Sequence, residues 1–255
     1  MSEPTLVVVP DASAAGPAAA GVVVDVLARA AGARGRADFA TTGGSTPAAI
    51  YRALAAEPLR ARVPWQQLHV WWGDDRFVPR EHELSNVKPL DDVLLRDGAA
   101  PLTPANLHPF PVARTLAIGE DEAWCAAELA TELHASEIVV EDGWPVFDLV
   151  LVGVGPDGHI LSVFPDSAAL ESRSWAVAVP APEHIEPHVP RVTLNPRIVT
   201  VAREVLVVAT GGNKASILRE VLQGERDERR LPAQLARHDR AMWVVDEAAA
   251  SALGR

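Results

Sequence analysis

Apolar residues in this chain come in short, dense runs, mostly without alternation. The runs occupy 5–9, 37–41, 68–72, 148–152, 204–209 and 241–245. A strand covered on both faces has this pattern, because neither side-chain direction meets water. Between the runs lie Ala- and Leu-rich stretches with helical spacing, at 14–31, 47–56, 87–95, 120–136 and 214–222. In the fourth of these, Trp124, Ala127, Ala130 and Leu133 mark one face. Alternation of the two patterns predicts βαβ units. The expectation is an α/β fold with a mostly parallel sheet and helices on both faces.

Two stretches break the rhythm. Residues 97–112, rich in Pro and Gly, read as a surface connection. Residues 180–196, also proline-rich, read as a loop that wraps the sheet and holds one short strand at 191–194. A short helix is expected after Asp246. With neither an internal repeat nor a flexible Gly/Ser linker, residues 1–255 read as a single domain.

Composition narrows the partners. The 23 basic and 34 acidic residues give a formal net charge of −11. That argues against a nucleic-acid or anionic-membrane surface, but leaves an anionic small ligand open, since only the local field of a pocket acts on it. The lone Cys125 forms no internal disulfide, and no Cys/His cluster has metal-site spacing. The N-terminus lacks a basic region ahead of an apolar stretch, and no uninterrupted apolar run reaches the membrane-spanning length of about 18 residues. A cytoplasmic protein, monomeric or weakly homo-oligomeric, is expected.

Candidate chemistry gathers where the apolar runs end. After the second run comes Thr42-Gly43-Gly44-Ser45-Thr46-Pro47, with Thr46 a plausible N-cap and Pro47 a favourable first helical residue. Backbone amides of Gly43, Gly44, Ser45 and Thr46 at a helix start suit a phosphate, although an ordinary capped turn has the same sequence. After the third run, Gly73-Asp74-Asp75-Arg76 supplies two acids and an arginine. Arg76 suits a phosphate or a developing oxyanion, and a salt-bridged turn is the plainer alternative. Ser85-Asn86-Val87-Lys88 is expected to cap the next helix. After the fifth run, Thr210-Gly211-Gly212-Asn213-Lys214 places a cation where a helix dipole disfavours one, which a bound anion between Lys214 and the amides would explain.

The fourth run ends in Gly153-Val154-Gly155-Pro156-Asp157-Gly158-His159. Most of the eight histidines have no flanking signal or, like His108, His184 and His188, lie in proline-rich loops. His159 differs: it follows a strand, two glycines and an Asp, on a loop of the kind that binds ligands at the edge of an open sheet. If the strands are parallel, all four loops emerge at one edge.

Together these loops resemble the 6-phosphogluconolactonases of the glucosamine-6-phosphate isomerase/6-phosphogluconolactonase superfamily. The matching residues are Thr42–Pro47, Trp72–Pro79 with Ser85-Asn86, Gly153–His159 with Phe164-Pro165, and Thr210–Lys214. Two departures are mild. Asp75 stands where Glu is common, and Ile160-Leu161-Ser162-Val163 replaces the usual Thr-Ala-Ser-Leu. The resemblance implies a modified Rossmann-like fold, hydrolysis of 6-phospho-D-glucono-1,5-lactone in the oxidative pentose phosphate pathway, and no metal or organic cofactor. Related deaminases carry a Glu five residues after the His; here that position is Phe164, which cannot relay protons. A deaminase-like sugar-phosphate enzyme and a non-catalytic sugar-phosphate sensor are the alternatives.

On this reading His159 is the general base toward water, and either Asp157 or Asp74 orients the ring or the water. Arg76 and loop amides steady the oxyanion or grip the phosphate. Gly43, Gly44, Ser45, Thr46 and Lys214 hold the phosphate, with Arg191 as a weaker candidate.

Overall fold

The computed structural model describes residues 3–254. Its strands are β1 (Thr5–Val9), β2 (Ala37–Thr41), β3 (Leu68–Trp72), β4 (Asp74–Arg76), β5 (Leu107–His108), β6 (Val140–Glu141), β7 (Trp144–Pro145), β8 (Leu149–Val152), β9 (Ala176–Val179), β10 (Arg191–Leu194), β11 (Glu204–Ala209) and β12 (Ala241–Asp246). Its helices are α1 (Ala12–Arg34), α2 (Ser45–Ala55), α3 (Lys88–Leu90), α4 (Val112–Ile118), α5 (Glu122–Ala135), α6 (Arg197–Val201), α7 (Ala215–Gln223) and α8 (Glu247–Ala250).

Among the described residues, seven strands form one sheet in the order β1-β12-β11-β8-β2-β3-β5. Every pairing in it is parallel. All residues of β2 and β8 are buried, although successive side chains point to opposite faces. Both faces of the sheet centre are therefore covered, which is why the apolar runs lack alternation.

The strand order reverses between β2 and β8. From β2 the chain moves outward through β3 to β5; from β8 it moves the other way through β11 to β12. In open α/β sheets the crevice beyond the carboxyl ends of two such strands is the ligand site. The opposite ends of these strands are pinned together. Asp38 accepts the Trp71 indole N–H (2.9 Å) and two Arg36 donors, while Asp148 accepts the Asp38 backbone N–H (3.0 Å). This ties β2, β3 and the entry to β8, fixing the loops at the far end.

Helix α1 starts where the Asp11 carboxylate accepts the Ser13 and Ala14 amides. Its length and composition would let it cross a membrane, but half of its most apolar stretch is buried inside the protein. Val23, Val24 and Leu27 are fully buried, and the helix packs along β12, β2 and α2. It is a core helix, each such side chain contributing about 1.5–3 kcal/mol by leaving water.

Several sequence expectations are corrected. Residues 97–112 are not only a surface connection. Leu107 and His108 form the edge strand β5 beside Val70 and Trp71, and Ala100, Leu102 and Phe110 are buried. A two-residue strand among prolines is too short to show a period. The segment 191–194 is a strand, as expected, but belongs to a second, antiparallel sheet in the order β4-β10-β9. Asp74–Arg76 are thus strand rather than loop. Helix α2 starts at Ser45 with Gly44 as its N-cap, so Thr46 is not the cap and Pro47 is the third helical residue. The helix expected over 87–95 is α3 followed by a π-helical turn, Asp91–Leu95. Lys214 ends a 3₁₀ turn, Gly212–Lys214, ahead of α7.

Candidate active site

A cavity of about 460 Å³ opens beyond the carboxyl ends of β2, β8 and β11. Of the residues singled out in the sequence, Gly43, Gly44, Ser45, Thr46, Asp74, Arg76, His159, Arg191 and Lys214 all line it. Asp157 stands behind His159.

The loop after β8 is folded around its histidine. The Gly155 amide donates to the His159 carbonyl (2.8 Å) and the Gly158 amide to the Gly155 carbonyl (3.1 Å). The imidazole lies directly over Gly155. A Cβ there would overlap His159 Nδ1 and Cε1 and come within 2.7 Å of Asp157 Oδ1. Only glycine lets the ring sit so close to the backbone.

His159 Nδ1 is 2.5 Å from Asp157 Oδ1, which also accepts the His159 backbone N–H at 3.2 Å. Burial pushes the Asp157 carboxyl up, but hydrogen bonds from His159 and His184 and the imidazole charge outweigh it, holding this acid well below the usual carboxylate range. An ionised carboxylate only accepts, so Nδ1 is the ring nitrogen that donates to Asp157, and Nε2 is the one left for other partners. Of the two acids considered as orienters, Asp157 is the one in contact with the ring. His184 Nε2 lies 2.8 Å from the other oxygen, Oδ2. Nothing in the local pattern singles out His184, a histidine in a proline-rich stretch without periodicity.

Asp74 has a different role. It is buried and accepts from Thr42 Oγ1 (3.1 Å), Asn86 Nδ2 (3.2 Å) and Ser162 Oγ (2.7 Å). These bonds tie the ends of β2 and β3 to the segment after His159. Asn86, expected in a helix cap, instead bridges Asp74 and the Arg76 guanidinium. It passes so close to Gly43 that a Cβ there would overlap its side chain. Asp75 turns away from the cavity, its Oδ1 accepting the Asn86 and Arg76 amides (2.7 and 2.8 Å). Burial dominates its environment and pushes its pKa up to about 7.

Arg76 and Arg191 pair in register across β4 and β10, and both face the cavity. Burial, then the neighbouring Arg76, lowers the pKa of Arg191 from its usual value. Phe164 lies against three groups at once: the His159 ring (4.8 Å), the His184 ring (5.5 Å) and the Arg191 guanidinium (5.2 Å). Lys214 donates to the Val154 carbonyl (2.8 Å) from the β11 side. The loop after β8 therefore stands between Lys214 and the Gly43–Thr46 turn, which follows β2. Lys214, that turn, Arg76 and Arg191 all line the one cavity.

Fold and cavity define a parallel α/β protein with an acid–imidazole pair and the cationic side chains Arg76, Arg191 and Lys214 gathered at the switch point of its sheet. The sequence profile of the family described as glucosamine-6-phosphate isomerases/6-phosphogluconolactonase matches residues 10–244. The 6-phosphogluconolactonase of Streptomyces coelicolor is 35% identical over 257 residues, covering 99% of this chain and 95% of that protein. That of a Synechocystis species is 33% identical over 225 residues, covering 88% and 87%. The solved structure of 6-phosphogluconolactonase from Trypanosoma brucei is 27% identical, with a TM-score of 0.83 over the whole of both chains. The chain belongs to the glucosamine-6-phosphate isomerase/6-phosphogluconolactonase family.

Proposed function

We propose that this protein hydrolyses 6-phospho-D-glucono-1,5-lactone to 6-phospho-D-gluconate, as one domain spanning residues 1–255, in the oxidative pentose phosphate pathway of the cytoplasm. The observation that carries this reading is the Asp157–His159 dyad in the same cavity as the Arg76–Arg191 pair. Such a cavity combines a group that can move a proton with a pair that can hold an anion.

Water attacks the lactone C1 carbonyl as His159 Nε2 takes its proton, and the carbonyl oxygen becomes a tetrahedral oxyanion. When the C1–O5 bond breaks, the His159 imidazolium returns its proton to O5 and the free acid is released. Asp157, ionised throughout, keeps the ring in the basic tautomer and steadies the imidazolium. Arg76 and Arg191 hold the phosphate, with the amides of Gly43, Gly44, Ser45 and Thr46 beside them. Lys214 reaches the ligand from the opposite side of the His159 loop. Binding the phosphate positions C1, so remote contacts become orientation at the reacting carbon.

Phe164 supports a lactonase over a deaminase. Its ring lies against His159, where a carboxylate would be needed to partner the imidazole in ring opening. The test is a coupled assay with freshly made lactone, corrected for spontaneous hydrolysis. His159→Ala should lower turnover at least about 10²-fold, the lower scale of general-base help. Near-normal turnover in that variant removes His159 as the base; no acid release above background by the native protein removes the activity.

A further inference from the structure

His184 lies between β9 and β10 on a proline-rich strap whose next residues, Ile185 and Glu186, wall the cavity. Its Nε2 is 2.8 Å from Asp157 Oδ2, while Oδ1 of the same carboxylate is 2.5 Å from His159 Nδ1. The carboxylate is gripped at both oxygens, by an imidazole on each side. The terminal torsion of an aspartate is broad, so an acid held at one oxygen turns readily and takes its partner's orientation with it. The Phe164 ring packs against both imidazoles, edge-on to His184 and tilted to His159. His184 is half exposed and lines none of the cavity itself, so it serves neither the core nor the ligand directly.

We infer that His184 is a positioning residue. By donating to Oδ2 it locks the rotation of Asp157, so that Oδ1 stays on His159 Nδ1 and the basic Nε2 stays aimed into the cavity. The strap thereby contributes a wall and the outer anchor of the dyad together. This inference rests on the reading of His159 as the base, and its test separates the two.

In His184→Leu, kcat on the lactone should fall about three- to tenfold with KM nearly unchanged, the scale of one net hydrogen bond lost from the reacting geometry. His184→Gln, which keeps a donor at similar reach, should recover most of the loss. In an Asp157→Ala background, His184→Leu should cost nothing more, because the contact it breaks is already gone. Two-bond ¹⁵N spectra of the imidazoles give a readout without substrate. The native His159 should show the Nδ1–H tautomer, the Leu variant a mixture, and the Gln variant the native form. A Leu variant with native tautomer and native kcat, or losses that simply add in the Asp157→Ala background, overturns the inference. Because the spectra need no turnover, a protein inactive on the lactone that still shows the tautomer change loses the lactonase reading and keeps this one.

Discussion

Arg76 and Arg191 stand opposite each other on neighbouring antiparallel strands, and each has a buried Nε with no hydrogen-bond partner among the described residues. Side chains opposite one another on such a pair share a face, and like charges there repel. A bound anion relieves that repulsion and supplies acceptors for the unsatisfied donors. Inorganic phosphate should therefore raise the melting temperature. At about 100 times its dissociation constant a ligand stabilises by about 2.7 kcal/mol, roughly 5–10 °C for a chain of this size. In Arg191→Met the phosphate-free protein should melt close to the native temperature, and the phosphate shift should fall to less than half. Equal phosphate shifts in both proteins would show that this pair is not the anion site.

Gly155 makes the second prediction, through contact rather than charge. Its replacement by Ala must push the His159 ring off its seat, because the new methyl would occupy the space of Nδ1 and Cε1. A displacement of about 1 Å at a reacting group costs on the order of 10²-fold in rate. Gly155→Ala should lose kcat on that scale while retaining its fold and most of its affinity for phosphate, whose proposed partners Arg76 and Arg191 do not touch Gly155 in the backbone pairing. Circular dichroism, phosphate titration and the lactone assay separate these effects. Near-native kcat would mean that the loop can yield without moving the base.

The same loop shows where the sequence was legible. Dense apolar runs located six of the seven strands of the parallel sheet, because burial on both faces leaves a one-dimensional trace. The glycine-rich turns that follow them meet at one cavity, because a parallel sheet sends its loops to one edge. The two-residue β5 left no such trace. The three-stranded sheet stayed hidden because Asp74–Arg76 carry charge in place of an apolar pattern, and because their partner strand is more than a hundred residues away. The pairing of Arg76 with Arg191 and the bond from His184 to Asp157 are long-range facts of this kind. Local spacing does not encode them. Asn86 misled in a different way: Asn near a helix start has the look of a cap, and here its side chain serves Asp74 and Arg76.

Asp75 makes the last prediction, on stability against pH. Burial, the largest influence, raises its pKa to about 7, above the ordinary carboxylate value; the nearby Asp74 charge adds to this, and the Asn86 and Arg76 amides oppose it. Folding therefore favours the protonated acid. The stability this group contributes is fully present below its unfolded pKa of about 4 and is lost as pH rises through about 7. Asp75→Asn keeps a carbonyl oxygen for the two backbone amides and cannot ionise. It should melt near the native temperature at pH 4.5 and several degrees above it at pH 8, since each pKa unit corresponds to about 1.4 kcal/mol and each kcal/mol to about 2–4 °C. Melting curves of both proteins across that range check it. The difference between them should grow with pH and flatten above about 7; a difference independent of pH would show that Asp75 is ionised in the folded protein throughout, its charge held by the Arg76 side and the loop amides rather than surrendered to burial.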